Sequence, residues 1–370
     1  MSAIATPPLR GPTFGSYRPD EVIWLLKDLS TVPLEAAVDE REHGIQSGTA
    51  HYAESLPVEY QPTAAYRALF DVALTESAPR LAEAVGAVTE LLLAERGRDL
   101  TLVSLARAGT PIGVLIRRWA ARFHGLELPH YSISIVRDRG IDEVALNHLV
   151  ARHDPGSIVF VDGWTGKGAI TRELTAALDE YDGPALNPDL AVLADPGACA
   201  RTYGTRDDFL IASACLNSTV SGLVSRTVLN AQYIGPRDFH GAKFYVDLAP
   251  HDVSNLLLDT VSGHFADSSD AARTRATELG AADRTPTWAG WRSVEDVRLE
   301  YGISSANLVK PGIGETTRVL LRRVPWRVLV RDAEAPEHRH IRRLAEERGV
   351  PVDVVPELTY ACMGLVKEGA

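Results

Sequence analysis

The sequence predicts an α/β chain: a parallel sheet with helices on both faces, followed by a second, small α/β unit. Three observations carry that expectation. Short apolar runs have the length of buried strands, helical periodicity fills the intervals between them, and small-residue or glycine-rich loops stand where the strands end. At 370 residues the chain is long enough for more than one domain.

After a Pro/Gly-rich leader, EVIWLLKDLS reads as a short amphipathic helix, and IQSGTAHYAESLPVEYQP carries too many breakers to be more than a structured loop. The segment beginning AYRALF keeps helical periodicity until Gly97. LTLVSL (100–105) is a buried strand, ARAGT (106–110) a tight loop, and PIGVLIRRWAARFHG a helix with proline well placed at its start. HYSISIV alternates as a strand, RDRGIDEV is a charged loop, SIVFVDG a strand, ITRELTAALDEY a helix and DLAVLADP another strand. Such alternation favours a doubly wound sheet with ligands at the carboxyl ends of the strands. The hydroxyl-rich stretch from Gly204 to Asn230 has no clear period, and HDVSNLLLDTVSGHF closes the unit as a helix.

Residues 266–287 are small and polar, the composition of a linker between a first domain at 1–265 and a second at 288–370. Beyond the linker come a loop and helix (VKPGIGETTRVLLRRV), a strand (WRVLVRD), a helix (EHRHIRRLAEERG), a strand (VPVDVVP) and a short final helix.

A net charge of −11 argues against nucleic-acid binding by the whole surface. Residues 303–370 hold 11 Lys and Arg against 9 Asp and Glu, so the tail has a balance of +2 and the rest of the chain −13. Arg339, Arg342, Arg343 and Arg348 form a helical cluster that reads as a solvated face or a phosphate contact. Cys199, Cys215 and Cys362 have no metal-site spacing, which points to a reduced, cytoplasmic protein; no signal peptide or membrane span is expected.

Thr-Gly-Lys-Gly at 165–168 looks like an ATPase phosphate loop, but Val161 stands where that loop needs glycine and Gly168 where it needs Ser or Thr. A dinucleotide loop and a turn that binds nothing are the plainer readings. Taken with ARAGT and VRDRG, however, the loop resembles the set found in type I phosphoribosyltransferases. That resemblance implies a parallel-sheet, type I phosphoribosyltransferase-like first domain with phosphoribosyl pyrophosphate at the carboxyl edge. It would put Ala106, Arg107, Ala108, Gly109 and Thr110 at pyrophosphate and Arg137 and Arg139 in a closing catalytic loop. Asp162 would stand at the ribose hydroxyls and the metal, and Gly163, Trp164, Thr165, Gly166, Lys167 and Gly168 round the 5-phosphate. Magnesium would be carried mainly by the substrate's oxygens. The lone Asp162, followed by Gly163 and Trp164, departs from the two adjacent acids of that family.

Together VDGWTGKGAITREL, DDFLIASACLNSTVSGLVSRT and SGTAHYAESLP resemble a divergent phosphoribosyltransferase family of tellurium-resistance and stress operons, also labelled StiP-type cysteine protease, with a C-terminal Pelota-like RNA-binding domain. This implies transfer of ribose 5-phosphate to an unidentified small-molecule acceptor, in synthesis of a nucleoside-like metabolite, by a homo-oligomer. Ser221, Ser225 and Arg226 would line the acceptor or phosphate pocket, or simply start a helix. KPGIGETTR is similar to the Pelota RNA motif, which implies structured RNA at Lys310, Gly312, Glu315 and Arg318, with Gly314 in place of asparagine. Two alternatives stand beside transfer. One is a cysteine peptidase using Cys215, with His240, His251 and His264 downstream as candidate bases; the other is an RNA-binding stress protein whose pocket senses a nucleotide.

Overall fold

The computed structural model describes residues 6–36, 51–59 and 61–366. Its elements in chain order begin with β1 (Ile23–Trp24), β2 (Lys27–Asp28), β3 (Glu35–Ala36), β4 (Leu56–Pro57), α1 (Ala64–Arg96), β5 (Thr101–Leu105), α2 (Thr110–His124) and β6 (His130–Ile133). Next come β7 (Ile135–Val136), β8 (Gly140–Ile141), α3 (Glu143–Val150), β9 (Ile158–Trp164), α4 (Ala169–Asp179), β10 (Leu190–Ala194) and β11 (Tyr203–Thr205). β12 (Gly241–Ala242), α5 (Ser254–Gly263) and α6 (Phe265–Ala281) complete the main unit. The tail holds α7 (Ala289–Glu300), β13 (Val309–Pro311), α8 (Gly312–Arg322), β14 (Pro325–Val330), α9 (Arg339–Glu347), β15 (Val352–Val354) and β16 (Cys362–Val366).

The main sheet runs β1-β6-β5-β9-β10-β11 with every pairing parallel. Its central strands are buried on both sides, as continuous apolar runs require. Leu102, Val159, Val161, Ala191 and Leu193 pack with α1 and α2 on one face, while Val103, Phe160, Leu190 and Val192 meet Ala145 and Leu146 of α3 and Leu174 of α4 on the other. Each fully buried side chain of this kind contributes roughly 1.5–3 kcal/mol. The tail sheet, order β13-β16-β14-β15, is mixed, with α8 and α9 packed against it.

Four expectations are corrected. EVIWLLKDLS is extended, because β1 pairs with β6 and Trp24, Leu25 and Leu26 are buried in succession, which no single helix face permits. Within RDRGIDEV, residues 137–139 are a loop as expected, the turn of the β7/β8 hairpin, but Gly140–Ile141 is strand β8, and Asp142 then caps α3 by accepting from the Ala145 amide at 3.0 Å. The linker composition hides α6, whose stripe of Phe265, Ser268, Ala272, Ala276 and Leu279 at helical spacing is buried, packed on the long α1. Its small residues allow that close approach. The last element among the described residues is strand β16, inserted between β13 and β14, where a short helix was expected. The opening of SGTAHYAESLP, through Ala50, lies outside the described residues.

Candidate functional site

The loops that leave β5, β9, β10 and β11 gather at the carboxyl edge of the main sheet, where open α/β sheets take ligands. Asp195, at the end of β10, organises the centre of that edge. Fully buried, it accepts from the Thr165 hydroxyl at 2.5 Å, the Cys199 amide at 2.9 Å and the Ala200 amide at 3.2 Å. Arg206 stands 3.7 Å from its second oxygen. Burial pushes the Asp195 carboxyl up despite these donors.

Cys199 shares this knot. Its thiol lies 3.9 Å from the Gly166 carbonyl and against the start of α4. Gly168, the residue before that helix, has φ 73°; a Cβ there would stand 2.9 Å from Cys199 Sγ and 2.4 Å from the Trp288 ring. A Cβ on Gly197 would meet the Gly166 carbonyl at 2.1 Å, so both turns need glycine to close round the thiol. Burial first, then the charge of Asp195, pushes the Cys199 thiol up to about 12, opposed by Thr165 and Arg172.

The tail covers this edge. Trp288 and Gly290 donate their amides to the Ala198 and Gly197 carbonyls at 2.9 and 3.1 Å, and Tyr360 donates its hydroxyl to the Gly166 carbonyl at 2.9 Å. The Arg172 guanidinium lies over the rings of Trp288 and Trp291. Asp208 accepts from the Ile313 and Ala361 amides, each at 3.0 Å, and so caps α8 from the main unit. Beside it the seam widens into a cavity of about 510 Å³ lined by Arg80, Arg206, Arg331, His338 and Thr359 among others.

The residues singled out in the sequence fall into three places. Thr165, Gly166, Lys167 and Gly168 lie under the tail: Lys167 Nζ donates to the Ala306 and Val309 carbonyls at 2.6 and 3.2 Å, and Glu315 Oε1 would be 3.3 Å from a Cβ on Gly166. Lys310, Gly312, Glu315 and Arg318 face them across the seam, Arg318 donating to the Ala214 carbonyl at 2.9 Å and lying over Trp164.

The remaining candidates line the same edge further along. Arg107, after the cis Ala106–Arg107 peptide, donates to the Val224 carbonyl, and Thr110 pairs with Ser132 at 2.8 Å. Ala108 and Gly109 complete that turn against Gly163 and Val161. Arg137 and Arg139 are exposed; the Arg137 amide donates to the Tyr52 hydroxyl at 2.7 Å. Arg226 donates to the Tyr52 and Ser55 carbonyls, Ser225 bridges Arg226 and Lys243, and Ser221 closes on Asn217. Asp162 accepts from the Gly163 amide at 2.8 Å, and burial pushes its carboxyl up to about 7.

Cys215 sits fully buried in the apolar core; His240 pairs with Ser134 at 2.8 Å and His251 with Arg67 at 3.0 Å. Asp195, Cys199, Asp208, Trp288 and Tyr360 were not singled out as site residues in the sequence, although Asp195 ends a recognised strand and carried that signal. The magnesium that the resemblance implies would come with its substrate. Among the described residues no group of three or more His, Cys, Asp or Glu could hold an ion. No described helix is long and apolar enough to cross a membrane.

Fold and site define a two-unit α/β protein whose parallel sheet keeps a buried thiol and carboxylate at its carboxyl edge beneath a small mixed-sheet tail. Residues 15–262 match the family model of the tellurite-like stress resistance cysteine protease StiP, and residues 288–368 match that of the PELOTA RNA binding domain. A protein of Acinetobacter baylyi named Cysteine protease StiP is 37% identical over 355 residues, covering 92% of this chain and 90% of its own length. The chain belongs to the StiP family.

These matches overturn phosphoribosyl transfer as the chain's activity, and with it the transferase assignment and the synthesis of a nucleoside-like metabolite. The geometry gives a physical reason at the supposed 5-phosphate turn. Lys167 is spent on tail carbonyls, the Thr165 hydroxyl on Asp195, and a carboxylate, Glu315, lies over Gly166.

Proposed function

We propose that the chain is a cysteine peptidase whose nucleophile is Cys199. The observation that carries this reading within the family is position. Of the three thiols, Cys215 is enclosed in the core and Cys362 lies within the tail strand β16, whereas Cys199 stands at the carboxyl edge against the first turn of an eleven-residue helix. The partial positive charge at a helix start offsets part of what burial and Asp195 cost a thiolate here, and its unpaired amides are suited to an oxyanion.

In this chemistry the thiol proton, which burial and Asp195 hold on the sulfur, leaves only as the sulfur attacks, passing to the leaving amine of the peptide. The sulfur bonds to the peptide carbonyl carbon, the C–N bond breaks as the amine departs with that proton, and water hydrolyses the acyl-enzyme to free the thiol. Cys199→Ala should lower hydrolysis of a labelled casein at least 10³-fold, while Cys215→Ala keeps it within about threefold. Full activity in Cys199→Ala would end the assignment. For the tail the proposed role is binding structured RNA, supported by its family match.

A further inference from the structure

Docking brings like charges together. Lys167 lies in the field of Lys310, Arg137 and Arg172, and Lys310 in that of Arg323 and Arg137, while the Glu315 carboxylate draws on both ammoniums. The tail presents Lys310 and Arg318 to this seam, so its motif residues are spent on the main unit. The same contact lays Trp288 and Tyr360 over Gly166, Gly168 and Cys199.

A phosphate backbone is the partner this face fits. It would replace repulsion among the cations with attraction, and would contact the amides at the start of α8 that Asp208 now occupies. Both partners cannot hold that face at once.

We propose that the seam is a cover displaced by RNA: structured RNA and the main unit compete for one face of the tail, and RNA binding lifts Trp288 and Tyr360 away from the Cys199 edge. Its enzymatic consequence rests on Cys199 being the nucleophile; the competition itself does not. Because apparent affinity is the intrinsic affinity scaled by the open fraction, a seam closed nine parts in ten weakens RNA binding about tenfold.

The test uses the full-length chain, iodoacetamide, and a synthetic RNA stem with an asymmetric internal bulge, with a DNA duplex of equal length as control. The RNA should raise the rate of Cys199 alkylation several-fold, up to about tenfold at saturation, and leave that of Cys215 unchanged, which shows that the fold has not melted. Asp208→Ala removes the acceptor of two tail amides, and Trp288→Ala removes the ring over Gly168. Each should speed Cys199 alkylation without RNA and tighten the gel-shift affinity about tenfold.

Bound RNA that leaves Cys199 alkylation unchanged overturns the proposal. So does tail opening in both variants without tighter binding, or absence of binding in all three proteins. Equal opening by the DNA duplex overturns RNA as the partner. Alkylation reads opening whether or not Cys199 cleaves peptides, so failure of the peptidase reading would show only in casein hydrolysis.

Discussion

Asp162 shows how far one side chain's placement follows from its position in the sequence. The end of a buried strand marks it as an edge residue, and that is where it lies; what the string of letters does not reveal is that burial outweighs the single amide it accepts. Its folded value near 7 exceeds the unfolded value of about 3.9, so the folded state holds the extra proton between those limits. Stability from this group is therefore greatest below about pH 4 and falls as pH rises to 7, above which the cost is complete. Asp162→Asn should raise the melting temperature at pH 8, corresponding to at most about 4 kcal/mol at ~1.4 kcal/mol per pKa unit, and the gain should vanish near pH 4. An equal gain at both pH values would contradict the burial argument.

Among the elements, those with local signals of their own were legible: α1 with its stop at Gly97, α2 behind Pro111, and the unbroken apolar strands β5, β9 and β10. Elements defined by distant partners were not. β1 is extended because β6 pairs with it, β16 because β13 and β14 flank it, and α6 is a helix whose alanine and serine stripe has meaning only against α1. The site was half legible for the same reason: strand ends and glycine turns are local, whereas Asp208 and Tyr360 acquire their roles across the seam. The α1–α6 contact gives a sharp test at Gly86, where a Cβ would stand 2.3 Å from the Trp119 ring and 2.6 Å from Ala272 Cβ. Helix propensity alone would make Gly86→Ala stabilising by about 1 kcal/mol, while overpacking costs about 1–3 kcal/mol. With contacts this short the clash wins, so the melting temperature should fall; a rise would mean that the two helices separate without cost.

For the molecule as a whole, closing the seam is linked to two protonation states of opposite sign. Lys167 is lowered to about 8 by burial and by Lys310, so the closed form sheds a proton and closure is favoured as pH rises through 8. Asp208 is raised to about 6 by burial, opposed by the Ile313 and Ala361 amides and by Arg331, so closure is also favoured as pH falls through 6. Between these values both charges are buried and the seam is weakest. Interdomain fluorescence transfer should report the most open population near pH 7 and less opening at pH 5.5 and 9; a monotonic profile would remove one of the two groups from the linkage. How far the tail can travel is set by the stretch between α6 and α7. Arg284, almost fully buried, donates to the Arg201 carbonyl and pairs with Glu95, which leaves Thr285, Pro286 and Thr287 as the leash. Three extended residues reach only about 10 Å. A lifted tail therefore remains at an effective concentration of the order of millimolar beside its own dock, so opening is a reversible contest that a competitor must keep winning for as long as the thiol is to stay in water.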